Sequence, residues 1–79
     1  MVQARTERED LLPKRAWALR KDGHEAAIDF RAVPGIGAEI MLTVNGELRR
    51  SRLYRSHERE EFVAAIADTS ATFAAKGWA

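Results

Sequence analysis

From residue 15 to residue 55, apolar and polar side chains alternate, and the dipeptides Asp22-Gly23 and Asn45-Gly46 interrupt the alternation. A period of two marks a half-buried strand. Asp-Gly and Asn-Gly accept the positive φ angles of a type I′ turn, whose twist matches the strands on either side. The first hairpin is therefore predicted over about Arg15–Val33. Its two-residue loop pairs Lys21 with His24, Leu19 with Ala26, Trp17 with Ile28 and Arg15 with Phe30. Trp17, Leu19, Ile28 and Phe30 then share one face, and Ala16, Ala18, Ala27 and Asp29 take the other.

The chain next reads Val33-Pro34-Gly35-Ile36-Gly37. Pro34 presets φ for a turn, and Gly35 tolerates the positive φ that a type II turn requires. A loop over Pro34–Ile36 sets Phe30 against Ile40, Ile28 against Leu42, Ala26 against Val44 and Arg31 against Glu39. The same residues read like the hairpin of helix-hairpin-helix DNA-binding modules. That function needs a helix on each side, and the flanks here favour strands. Asn45-Gly46 then turns a third strand (Ala38–Val44) into a fourth (Glu47–Arg55). Without a bulge, Met41 faces Arg50, Glu39 faces Arg52 and Ala38 faces Leu53. Leu53 joins the apolar face, while Arg50, Arg52 and Tyr54 point the other way beside Arg31. A one-residue bulge would exchange these two sets.

The period changes after Ser56, a candidate N-cap. Glu58, Glu60 and Glu61 suit the positive end of a helix dipole. Phe62, Val63, Ile66, Ser70 and Phe73 recur at the spacing of one helix face. Gly77 is placed to end the helix in a Schellman motif, with Trp78 folded back on Phe73. The predicted fold is α+β: a four-stranded antiparallel β-meander, then one C-terminal helix packed on one sheet face. Residues 1–13, polar and without periodicity, are expected to be a flexible tail, with a short helix over Glu7–Leu12 as the competing form. Residues 14–79 are expected to form a single domain.

Composition narrows the function more by exclusion than by signal. A 79-residue chain has a marginal core, and association is one way to add to it, so a homodimer is expected. With no cysteine, disulfides, thiolate metal sites and a cysteine nucleophile are all excluded. The two histidines show no metal-ligand spacing, and no metal or cofactor is expected. Nor is there a nucleophile elbow or a phosphate loop, so the chain is read as a non-enzyme. The first ten residues mix both charge signs, unlike a signal peptide. No apolar run reaches membrane-spanning length. A cytoplasmic protein that does not enter the membrane is expected.

Net charge is +1, so the distribution of charge says more than its total. Arg49, Arg50, Arg52 and Arg55 fall within seven residues with no acid among them. Charged residues on an edge strand can simply discourage aggregation. If instead Arg31, Arg50, Arg52 and Tyr54 share the sheet face away from the helix, they form a basic platform with one stacking ring. Guanidinium groups take phosphate bidentately, and such platforms suit single-stranded nucleic acid. In element order over residues 15–76, with Gly46-Glu47-Leu48-Arg49 leading through a basic strand into an acidic helix start, the chain resembles the single-stranded-DNA-binding transcriptional coactivator and Whirly-type family. That likeness implies a homodimer whose strand residues meet nucleic acid. It lies in element order, and no motif matches residue by residue.

The sequence thus points to a small binding module whose expected site is Arg31, Arg50, Arg52 and Tyr54. The alternative is an assembly protein held together through the alanines Ala64, Ala67, Ala71 and Ala75 of the helix, or through an open sheet edge.

Overall fold

A computed structural model describes residues 12–79. Strands β1 (Lys14–Lys21), β2 (His24–Val33), β3 (Gly37–Val44) and β4 (Glu47–Arg55) form one antiparallel sheet in the order β1-β2-β3-β4. A 3-10 turn (Ser56–Glu58) leads into helix α1 (Arg59–Ala75), which packs on one side of the sheet. The α+β meander-plus-helix fold is the one the alternation predicts. Of the tail expected over residues 1–13, all but Leu12 and Pro13 lies outside the described residues, as does most of the Glu7–Leu12 helix.

Both Gly-centred hairpins form as their chemistry dictates. Asp22 and Gly23 have φ of 50° and 81°, and Asn45 and Gly46 have 54° and 80°, the positive pair of a type I′ turn. At the middle turn Gly35 has φ 77°, and the Ile36 N–H donates to the Val33 carbonyl at 3.0 Å. The β2–β3 register is the predicted one from Ala26↔Val44 to Val33↔Gly37. Asn45 also ties the two hairpin tips together: its Oδ1 accepts from the Glu25 N–H at 3.0 Å, and its own N–H donates to the Glu25 carbonyl at 2.7 Å.

The β1–β2 register holds from Lys21↔His24 to Trp17↔Ile28 and then shifts by one. Arg15 faces Asp29 in place of the expected Phe30, with Ala16 as the extra residue. The bulge turns Arg15 to the side that carries Asp29, and Arg15 Nε donates to Asp29 Oδ1 at 3.0 Å. A charged side chain is thereby kept off the apolar face.

The core is small. Ala26, Ala27, Ile28, Ile40 and Tyr54 are buried, with Trp17, Phe30, Leu42, Phe62, Ala65 and Ile66 packed around them. Helix α1 crosses from the end of β4 towards β1. Near its start Phe62 meets Phe30 and Tyr54 edge to face, each at 5.8 Å between centroids. Farther along, Phe73 meets Trp17 at 5.7 Å. No residue of the helix is fully buried, and Val63, expected in the inward stripe, is exposed. Ala65 and Thr69 are half-buried instead. Ser56 is not the N-cap of α1: it belongs to the 3-10 turn, and its hydroxyl donates to the Ile36 carbonyl. Glu58 performs the local capping, its carboxylate accepting the Arg55 N–H at 3.0 Å.

The C-terminus closes as the sequence suggests. The Trp78 N–H donates to Phe73 O and the Gly77 N–H to Ala74 O, with Gly77 at φ 94°. This is the Schellman pattern, and the Trp78 ring packs on Phe73 at 5.3 Å. Ala79 then exchanges two backbone hydrogen bonds with Arg20, at 2.9 and 3.0 Å, which covers part of the β1 edge. In mid-helix, Trp17 Nε1 donates to the Ile66 carbonyl at 3.0 Å. Trp17→Phe removes that bond and part of the ring while leaving the aromatic contact. Urea denaturation should show a loss of about 1–2 kcal/mol; an unchanged midpoint would mean that the indole bond carries no stability.

Candidate functional site

The position of each β4 side chain is decided by one residue. Glu47 faces Val44 and Leu48 faces Thr43, as a two-residue Asn45-Gly46 loop demands. The register then shifts, so that Leu42 faces Arg50, Ile40 faces Arg52, Glu39 faces Leu53 and Ala38 faces Tyr54. Arg49 is the additional residue of a β-bulge. Because side chains alternate, a one-residue slip transfers every later side chain to the opposite face.

The basic platform expected on the sheet face away from the helix is therefore divided. Arg50, Arg52 and Tyr54 lie on the helix side, and Arg31 lies on the reverse. Leu53, expected in the core, is 43% exposed, whereas Tyr54, expected outside, is 5% exposed. The exchange has a packing reason. Tyr54 offers a larger ring than leucine to the gap between β3 and α1, where it contacts Ile28, Ile40 and Phe62. The guanidinium carbon of Arg52 sits over the Tyr54 ring, 4.7 Å from its centroid. The ring is thus occupied and offers no platform for a stacked base.

The arginines on the two faces differ in electrostatic setting. On the reverse, Arg31 Nε donates to Glu39 at 2.8 Å, as their opposed register predicts. Arg15 pairs with Asp29, and Arg20 Nε donates to Glu25 at 3.2 Å. The hydrogen bond from Arg15 to Asp29, reinforced by the charge of that carboxylate, raises the Arg15 pKa above its ordinary value. On the helix side, Arg50 and Arg52 form no ion pair among the described residues. The Glu39–Arg52 pair that the unbulged register allows does not form, because the two side chains are on opposite faces.

Arg50 and Arg52 border a cleft of about 420 Å³ between α1 and the β3–β4 half of the sheet. Ile28, Ile40 and Leu42 make its floor, with Ala65 and Thr69 on the helix wall. A second cleft, of about 370 Å³, opens on the other side of the helix start. Phe30, Ala38 and Phe62 line it, and Arg55 and Arg59 stand at its rim. Arg50 and Arg52 of β4 and Arg59 in the first turn of α1 thus stand beside apolar surface that the helix leaves uncovered. Sequence reasoning missed the helix wall, Ala65 and Thr69, because its register sent β4's arginines away from α1.

Among the described residues, no three His, Asp or Glu side chains converge as a metal site would require. His24 sits at a hairpin tip with its Nδ1 2.9 Å from Asn45 Nδ2, and His57 is in the 3-10 turn. Neither lines the cleft. Among the described residues, no helix is long and apolar enough to cross a membrane. No protein-family model, curated protein or solved structure matches the chain.

Proposed function

We propose that this protein is a small non-enzymatic binding module that holds single-stranded nucleic acid by its phosphates along β4, with Arg50 and Arg52 as the principal contacts. One observation carries the reading: among the described residues these two arginines form no ion pair, while Arg15, Arg20 and Arg31 of the reverse face are each paired with a carboxylate. Alternate residues of a strand repeat at about 6.6 Å, comparable to the separation of successive phosphates in an extended single strand. Each guanidinium can take one phosphate bidentately. With Tyr54 covered by Arg52, base stacking drops out of the site, and recognition rests on the backbone. Little base preference follows.

A salt titration with fluorescent single-stranded oligonucleotides tests this. Neutralised phosphates release counterions, so log affinity falls with log salt by about 0.7 per phosphate contacted. Replacing Arg50 and Arg52 together by alanine should flatten that slope by about 1.4 and weaken binding for every sequence. Arg31→Ala should leave both unchanged. A folded wild-type protein that binds no strand at low salt would refute the reading.

A further inference from the structure

The same bulge that turns the arginines towards the helix gives the reverse face an apolar strip. Leu48 beside Thr43, Met41 beside Ser51, and Leu53 beside Glu39 occupy successive rows of the β3–β4 half. Leu48 is 57% exposed, Leu53 is also exposed, and Met41 and Thr43 are half-buried, with no described segment over them. We infer that a second copy of this chain docks on this reverse face, across a two-fold axis near Met41, Ser51 and Leu53.

Charge, area and the thin core each favour a second copy over another occupant. Each carboxylate among the β1–β2 and β3 side chains of this face, Glu25, Asp29 and Glu39, is paired with an arginine of the same face. Such a surface can meet its own image without strong repulsion, and it offers no concentrated field to attract a highly charged partner. Strand spacing and rise give four strands of eight residues a face of roughly 19 by 26 Å. Full overlap of two such faces buries on the order of 1,000 Å², the lower bound for a specific interface. The apolar β3–β4 half supplies about half of that area, and the arginine–carboxylate pairs of the β1–β2 half supply the polar remainder. The expected dimer is therefore reversible and depends on concentration. Within the core, no helix residue is fully buried, and the largest buried side chains are Ile28, Ile40 and Tyr54. A domain this lightly packed gains stability by covering apolar surface. Packed face to face, the sheets would lie about 10 Å apart and leave both helix-side clefts open. The inference does not rest on the nucleic-acid reading.

Sedimentation equilibrium of the full chain from millimolar to micromolar concentration should show dimer giving way to monomer. Leu53→Glu puts a charge at the centre of the interface and should weaken the dimer at least about tenfold, with the circular dichroism of a folded domain retained. Because the chain has no cysteine, a single introduced thiol reports proximity independently. Ser51→Cys should form a disulfide-linked dimer on oxidation, and Ala71→Cys, on the exposed side of the helix, should not. Arg50→Ala with Arg52→Ala should dimerise like wild type, which separates this test from the nucleic-acid test. A wild-type monomer at millimolar concentration would overturn the inference. So would a Leu53→Glu dimer of wild-type strength, or readier cross-linking of the Ala71→Cys variant than of the Ser51→Cys variant.

Discussion

Tyr54→Ala should bring the domain to the edge of unfolding, while Leu53→Ala, one residue earlier, should scarcely affect it. The Tyr54 ring is buried against Ile28 and Ile40, meets Phe62 edge to face and carries the Arg52 guanidinium. Removing a buried aromatic ring costs about 3–5 kcal/mol, part of it from the cavity left behind. A small domain has a total stability of roughly 5 kcal/mol at the lower end of the usual range, so about 0–2 kcal/mol would remain and up to about half of the population should be unfolded without denaturant. Leu53 projects to the exposed reverse face, where truncation costs about 0.5 kcal/mol or less. Urea denaturation at micromolar protein, below the range of dimer formation, separates the two. A larger loss for Leu53→Ala would show that β4 presents the opposite set of side chains to the helix.

Gly37→Ala is the second substitution expected to be severe, although it adds only a methyl group. Gly37 starts β3, opposite Arg55 at the end of β4. A Cβ at this position would run into the Tyr54 carbonyl oxygen and come within 2.9 Å of the Arg55 Cα and carbonyl carbon. These are backbone atoms, which cannot rotate aside as a side chain tip can. Relief requires β3 and β4 to part where Tyr54 enters the core and where Ser56 bonds Ile36. Overpacking of this kind costs about 1–3 kcal/mol, and loosening of Tyr54 would add to it. Gly23→Ala is the useful contrast: it strains a positive φ but meets no atom within 4 Å. If Gly37→Ala unfolds at the wild-type urea concentration, the close approach of the two strands does not exist in solution.

The meander was legible because its signals are local. Asp22-Gly23 and Asn45-Gly46 fix their loops at two residues, and the four large apolar residues Trp17, Leu19, Ile28 and Phe30 agree on one face. The C-terminal stop was legible for the same reason, since Lys76-Gly77-Trp78 determines the cap within one turn of helix. The course of β4 was not, because a bulge is a compromise between distant groups. Leu48 and Leu53 are five residues apart, so an unbulged strand would set them on opposite faces. Inserting Arg49 sends both to the reverse and delivers Tyr54 to Phe62. Only the helix, which lies later in the chain, supplies the cavity that makes tyrosine the better filling. The Arg15 bulge was hidden for a similar reason: Asp29 attracts Arg15 to its own side across fourteen residues of sequence.

The candidate site inherits this pattern. Composition identified the basic strand, and Arg50 and Arg52 remain its central residues. The unbulged register groups Arg31 with them by placing all three on one face, yet the β2–β3 pairing also sets Arg31 against its carboxylate partner Glu39. The face that β4's arginines occupy, and hence the surface they leave to Leu48, Met41 and Leu53, follows from a single inserted residue.

Nuclear Overhauser contacts from the Tyr54 and Leu53 side chains are the most direct test of that residue's effect. The bulged strand requires cross-peaks from the Tyr54 ring to Phe62 and to the Ile28 and Ile40 methyl groups, with none from the Leu53 methyls to any residue of the helix. Leu53 methyl contacts to Phe62 and Ile66, with a Tyr54 ring silent towards the helix, would contradict both the cleft and the docking face.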